Sequence, residues 1–214
     1  MPAFLAAMVA LATNTTAPLE AQATSALMTA QRCLRGGDRG RGLATLDSLI
    51  FSNGVTVSLE RPSAYRESVE EGLQVWNEEL GEDVFRMRPA GEKADVVVKF
   101  VRSLDGEGFD VQGMVEASRE LSWSNRDRDY RLRSTIFVRD NANGRRLRND
   151  EVMAVVAHEA GHLLGLADVR RDDRLMGPMT IGYPQFGPHP SEVAAVLDYR
   201  SSIRDSYPKA VDER

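Results

Sequence analysis

A chain of 214 residues is long enough for one well-filled domain and too short for two full-sized ones. Its hydrophobic fraction of 42% and charged fraction of 28% are typical of a soluble globular protein. The net charge is −5 and no sustained basic stretch appears, which argues against nucleic acid as a partner. The densest basic cluster, Arg145, Arg146 and Arg148, is interpreted as a solvated loop.

The N-terminus carries an apolar run, FLAAMVALA over residues 4–12, that is too short to span a bilayer. The small-x-small sequence AQA follows at residues 21–23. Together they predict a signal peptide over residues 1–23, export from the cell and no stable membrane insertion. The first Lys or Arg is Arg32, so the usual positive segment is missing, and a cytoplasmic N-terminal helix is the alternative.

Residues 24–52 contain a helical pattern followed by the Gly/Arg-rich segment RGGDRGRG, which predicts a flexible linker or pro-region. Cys33 in this region is the single cysteine of the chain, so no intrachain disulfide can form.

The remaining chain alternates strand and helix patterns. Strands are predicted at 55–60, 94–101, 113–118 and 133–140. Helices are predicted after Pro62, from a cap at Asn149 or Asp150, and over 191–200 with Ser191 as the cap. This order indicates one α/β domain over residues 53–206, followed by a tail over 207–214.

The segment HEAGHLLGLAD, residues 158–168, combines residue types that bind a metal. His158 and His162 are four residues apart and so share one helix face, while Glu159 lies beside that face. Catalytic zinc uses three protein ligands and keeps one position for water, from which a nearby carboxylate can take a proton. Gly165 can end the helix in a left-handed turn, and the returning chain then brings Asp168 to the site.

The segment therefore predicts one catalytic Zn²⁺ held by His158, His162 and Asp168, with Glu159 as the general base. His189 and Glu192 are the alternatives for the third ligand.

The pattern HExxHxxGxxD followed by DRLMGP resembles the metzincin metalloproteases. Met176 and Pro178 stand eighteen and twenty residues after His158, as in the matrixins. GLQVWNEEL and ADVVVKFV are similar to the first helix and central strand of matrixin catalytic domains. The aspartate at position 168, where matrixins have histidine, resembles the snapalysin-type metzincins instead.

The resemblance implies a single metzincin-like α/β domain. Its features are a twisted, mostly parallel sheet with an antiparallel edge strand, an active-site helix, a methionine turn and a C-terminal helix. It also implies that Met176 forms a hydrophobic base under the zinc. Pro178 and Met179 would line the pocket for the substrate residue after the scissile bond. Gly113, Met114 and Val115 would begin an edge strand to which an extended peptide can add.

Two further sites are considered by the same resemblance. Cys33 follows an arginine, as does the cysteine that blocks the zinc in matrixin pro-regions, although an incidental free cysteine is the favoured interpretation. Asp105 or Asp110 could bind calcium, although a solvent loop is favoured.

The expected function is zinc-dependent hydrolysis of peptide bonds in a protein or peptide substrate by a monomer. The alternatives are a metzincin-shaped domain that binds peptides without cutting them, and a zinc hydrolase of non-peptide amides or esters.

Overall fold

A computed structural model describes residues 9–11, 19–104, 111–123, 128–142 and 144–208. Six strands form one sheet in the order β1-β5-β6-β4-β2-β3. They are β1 Val9–Leu11, β2 Val55–Leu59, β3 Phe85–Met87, β4 Val96–Val101, β5 Gly113–Trp123 and β6 Arg128–Arg139. Two short strands, β7 Asn141–Ala142 and β8 Arg145–Arg146, pair in a separate hairpin.

The sheet is mostly parallel with an antiparallel edge. Strands β3, β2, β4 and β6 run parallel to one another, whereas β5 runs antiparallel to β6. β1 pairs antiparallel with the far end of β5, where Val9 lies opposite Leu121. The predicted α/β class and antiparallel edge are therefore confirmed.

The helices are α1 Leu19–Arg35, α2 Arg39–Ile50, α3 Arg66–Leu80, α4 Asn149–Leu163 and α5 Pro190–Asp205. α3 and α4 pack together over the sheet around the fully buried Trp76, whose indole Nε1–H donates to the carbonyl of Ala157 at 2.7 Å. This contact buries a large apolar ring while satisfying its polar atom, so it fixes α4 against α3. No helix in the described part of the chain is long and apolar enough to cross a membrane.

β5 and β6 are longer than the predicted strands at 113–118 and 133–140. β5 continues through Arg119 and Glu120, and because these residues are charged, a search for apolar patterns does not predict this part of the strand. The extension forms because β5 and β6 pair with each other along their whole length, from Gly113 opposite Val138 to Trp123 opposite Arg128. Backbone hydrogen bonds sustain an antiparallel pair where the side chains are polar.

The Gly/Arg-rich segment RGGDRGRG, predicted to be flexible, forms a turn and the start of α2, whereas the assignment of residues 24–52 as a linker or pro-region stays a prediction. Gly36 and Gly37 make a turn, but Arg39 already begins α2, and Asp38 caps this helix by accepting from the Arg41 N–H at 3.2 Å. The α1–α2 pair has its own apolar core, shared with Ile203 of α5. Burial against the domain thus outweighs the local cost of the glycines.

We expect Gly72→Ala to destabilise the protein by about 1–2 kcal/mol, because a Cβ at Gly72 would lie 2.5 Å from the backbone carbonyl oxygen of Met153. The overpacking cost between α3 and α4 exceeds the gain in helix propensity. Urea denaturation measures the free energy of unfolding. The control is Glu71→Ala at the exposed neighbouring position, which should change it by less than about 0.5 kcal/mol. Equal stabilities of the two variants would contradict the close helix contact.

Candidate metal centre

The HEAGH segment lies in the last turns of α4, and the chain reverses immediately after it. Gly165 has φ of +98°, a left-handed conformation that residues with a side chain rarely adopt. The N–H groups of Gly165 and Leu166 donate back to the carbonyls of His162 and Gly161, each at 3.0 Å. This turn directs the following residues back toward the helix face that carries the histidines.

The structure brings three potential metal-ligand groups together. One ligand atom each of His158, His162 and Asp168 lie within 4.8 Å of one another. The Oδ1 atom of Asp168 is 3.1 Å from Nε2 of His158 and 3.5 Å from Nε2 of His162. The histidine side chains are mostly buried, whereas Asp168 is 74% exposed. The three side chains therefore form a compact group that is open to solvent on the side of Asp168.

The charges of this group act on one another. Hydrogen bonds from the two imidazoles hold the pKa of the Asp168 carboxyl well below its usual range. Burial acts to lower the pKa of His158, but the hydrogen bond to Asp168 and the charge of Glu159 outweigh it and raise this pKa. The pKa of His162 is raised in the same way. Asp168 and Glu159 therefore favour the positively charged form of both imidazoles.

Both imidazole rings are oriented by backbone carbonyls. His158 Nδ1 lies 2.7 Å from the carbonyl oxygen of Leu175, and His162 Nδ1 lies 2.9 Å from that of Leu166. A carbonyl can only accept, so each Nδ1 carries the proton. Each Nε2 is then the atom that faces Asp168, which is the arrangement metal-binding histidines use.

Glu159 lies beside the group and is only 5% exposed. Burial raises the pKa of its carboxyl to about 6, although the charges of His158 and His162 act in the opposite direction. Strand β5 passes directly over it, since a Cβ added to Gly113 would lie 2.5 Å from Glu159 Oε1. The carboxylate is therefore confined between the helix and the edge strand.

Met176 is 1% exposed, and its sulfur lies against Gly161, where an added Cβ would be only 2.4 Å away. The carbonyl of Met176 accepts from the N–H of Val169 at 2.9 Å. This bond ties the segment after Asp168 to the methionine turn. The turn around Met176 is thus joined to α4 by packing against Gly161 and to the segment after Asp168 by a backbone hydrogen bond.

Glu192, on α5, holds the methionine turn in place. Its carboxylate accepts from the N–H groups of Met176 at 2.8 Å and Leu175 at 3.3 Å. It also accepts from the N–H of His189 at 2.7 Å, at the start of the helix. The sequence suggested Glu192 only as a metal ligand and missed this positioning role. The sequence signal for this role is a glutamate at the third position of a helix, where its carboxylate can accept from backbone N–H groups at the helix start.

The other candidates lie apart from the histidine pair. His189 caps α5, its Nδ1 accepting from the N–H of Ser191 at 3.1 Å, so the predicted cap at Ser191 is off by two residues. Neither His189, Glu192 nor the half-buried Cys33 belongs to the metal-ligand group found among the described residues. The calcium candidates at positions 105 and 110 lie outside the described residues.

A cavity of about 300 Å³ is lined in part by Leu175, whose backbone carbonyl oxygen lies 2.7 Å from Nδ1 of His158. Pro178 and Met179 line the cavity, and their contact with the substrate residue after the scissile bond stays a prediction. Ala154 of α4 lines it too, one helical turn before His158 and on the same face. The predicted peptide-binding residues Gly113, Met114 and Val115 begin β5, with Gly113 over Glu159.

Glu151 joins the start of α4 to the loop around this cavity, a role that sequence reasoning missed. Its buried carboxylate receives two hydrogen bonds from Arg145, at 2.7 and 2.5 Å. It also accepts from the N–H groups of Arg148 at 2.7 Å and Gly182 at 2.9 Å. Arg148 is consequently the residue preceding the helix, so the predicted cap at Asn149 or Asp150 is wrong by one or two positions.

We expect Glu151→Gln to lose about 1–2 kcal/mol of unfolding free energy at pH 7, because it removes the charge of a buried carboxylate that accepts from the partly exposed Arg145. The pKa of Glu151 is lowered from 4.5 to about 2, chiefly by the Arg145 hydrogen bonds. The stabilisation is therefore complete above the unfolded-state pKa and disappears as the pH falls through the folded-state pKa.

Urea denaturation from pH 7 to pH 2 should accordingly show the difference between wild type and Glu151→Gln narrowing below about pH 4.5. Glu70→Gln, at an exposed position of α3, serves as the control and should show little difference at any pH. A difference for Glu151→Gln that is independent of pH would exclude the charged contact as its cause.

Comparison with known proteins identifies the family of this chain. The chain is 30% identical over 124 residues to stromelysin-3 of Mus musculus, which covers 56% of this chain and 24% of that protein. The chain thus spans about a quarter of the length of this curated relative. The family model of the matrixin peptidases matches residues 51–196, from the end of α2 into α5. This protein therefore belongs to the matrixin family.

Proposed function

We propose that this protein is a zinc-dependent endopeptidase that holds its metal with His158, His162 and Asp168. The observation that carries the proposal is the convergence of two carbonyl-oriented imidazole Nε2 atoms and one carboxylate within 4.8 Å, beside a buried glutamate. Matrixin membership supports peptidase chemistry in general.

The donor set fits zinc. Two neutral imidazole nitrogens and a carboxylate oxygen are ligands zinc accepts in catalytic sites, which use three protein ligands. Asp168 leaves one side of the group exposed, so a water and a substrate can approach. When bound, zinc supplies a Lewis acid that polarises the scissile carbonyl and makes a neighbouring water more acidic.

Glu159 takes the proton of the attacking water on its carboxylate and later delivers it to the leaving amine. Burial raises the pKa of this carboxyl above that of an exposed glutamate, which makes it the stronger proton acceptor. Its position beneath Gly113 places it between the metal-ligand histidines and the edge strand.

The substrate lies extended along the start of β5, where its backbone adds to the sheet as a further strand. Gly113, Met114 and Val115 form that edge, and Pro178 and Met179 receive the side chain that follows the scissile bond. Backbone pairing gives affinity for many sequences, so selectivity is left to the cavity.

We expect Glu159→Gln to reduce the hydrolysis of casein by about 10²–10⁴-fold, since general acid–base catalysis contributes that much. The variant should still bind one zinc per chain, because Glu159 is not one of the ligands. Activity is measured by release of labelled casein fragments, and zinc by elemental analysis of the purified full chain. A fully active Glu159→Gln protein would refute the assigned role, and wild type that binds zinc without cutting would favour a peptide-binding domain.

We expect Asp168→Ala to weaken zinc binding by at least about tenfold, because removing a ligand costs more than the 10–100-fold loss of an outer hydrogen-bond partner. His189→Ala is the matched control, since His189 is the competing candidate, and it should leave affinity unchanged. Competition with a chromophoric chelator measures both dissociation constants. The reverse pattern, with zinc lost only in His189→Ala, would assign the third ligand to His189.

A further inference from the structure

The cavity lined by Pro178 and Met179 has an arginine in its wall. Ala154, Leu175 and Met179 give it an apolar lining, and Arg174 lies among them with a side chain that is only 11% exposed. An arginine is always charged at physiological pH, so this guanidinium brings a mostly buried positive charge to a cavity whose other polar lining residues are Asp172, Thr180, Tyr183 and Gln185.

The guanidinium of Arg174 is incompletely paired within the described residues. Its Nε atom is 3.7 Å from Oδ1 of Asp173, and that carboxylate makes shorter contacts, both 3.0 Å, with Arg171. The Nη1 atom of Arg174 is buried and has no hydrogen-bond partner among the residues described. A buried charged donor without a partner is costly, so an acceptor arriving with a ligand would be stabilised there.

One acidic residue also lines the cavity, but at its exposed rim. Asp172 is exposed, and its backbone carbonyl accepts from Gln185 Nε2 at 3.0 Å. Solvent screens its charge, whereas the charge of Arg174 is screened much less because it is buried. The net preference inside the cavity is therefore for a negative or hydrogen-bond-accepting group.

Basic, apolar and oxygen-bearing substrate side chains would interact differently with Arg174 and the apolar lining of the cavity. A lysine or arginine would bring like charge to Arg174, and a purely apolar side chain would leave its donor unsatisfied. Glutamate and glutamine have two methylene groups to cover the apolar lining and a terminal oxygen to accept from the guanidinium.

We propose that this cavity selects substrates in which glutamate or glutamine follows the scissile bond, with Arg174 as the specificity-determining residue. The inference rests on the proposed peptidase function. Arg174 donates to the terminal oxygen of the substrate side chain, while Ala154 and Met179 contact its methylene groups.

The test uses internally quenched peptides that differ at one position, occupied by Glu, Gln, Leu or Lys, with the cut site read from product masses. For wild type, kcat/KM for the Glu or Gln peptide should exceed that for the Leu peptide by about tenfold or more. Arg174→Met should reduce this ratio to about twofold or less, and Arg174→Lys should retain a preference for Glu over Leu. Arg61→Met, at a side chain that is 83% exposed, is the matched control and should keep the wild-type ratio.

Binding separates this inference from the proposed function. Fluorescently labelled versions of the same peptides are titrated onto Glu159→Ala, which keeps Arg174 and removes the proposed base. Tighter binding of the Glu or Gln peptide to Glu159→Ala, with this preference lost in Glu159→Ala/Arg174→Met, supports the inference. Absence of cleavage by wild type would then refute only the peptidase proposal. Cleavage or binding that favours Leu or Lys, shows no preference, or is undetectable for every peptide overturns the inference. Melting temperatures within about 5 °C of wild type establish that the Arg174 variants are folded.

Discussion

The orientation of two imidazole rings is the constraint on which the candidate site depends. Leu175 and Leu166 offer carbonyl oxygens to the Nδ1 atoms of His158 and His162, so that both Nε2 atoms face Asp168. One carbonyl belongs to the methionine turn and the other to the turn that ends α4. The metal group therefore forms only when both turns are packed beneath the helix.

Two buried glutamates that are not metal-ligand candidates of the histidine group fix the methionine turn and the cavity loop in place. Glu192 accepts from the backbone of Leu175 and Met176, which fixes the methionine turn to α5. Glu151 accepts from Gly182 and Arg145, which fixes the cavity loop to the start of α4. Burial of a carboxylate is costly unless its oxygens are hydrogen-bonded, and here backbone N–H groups supply those bonds. Each buried carboxylate thereby fixes the position of the loop whose N–H groups it accepts from.

The same α4 helix serves the metal group and the cavity, because residues one turn apart share a face. Ala154 lines the cavity one turn before His158, and its small side chain leaves that space open. Arg174 lines the same cavity and precedes Met176 by two residues. The cavity and the proposed metal-ligand residues are consequently built from neighbouring positions of the same two segments, so a shift of either segment would affect both.

Local spacing in the sequence determined the α/β class, the helix carrying His158 and Glu159, and the left-handed turn at Gly165, because periodicity and glycine geometry act over a few residues. The same spacing named Asp168, which the fold brings to the histidines, but it could not separate Asp168 from His189. Only the tertiary structure decided that residues 24–52 form packed helices, that Glu151 and Glu192 hold loops and that Arg174 lines the cavity. Those outcomes depend on contacts between segments far apart in the chain, whose burial and pairing no local pattern encodes.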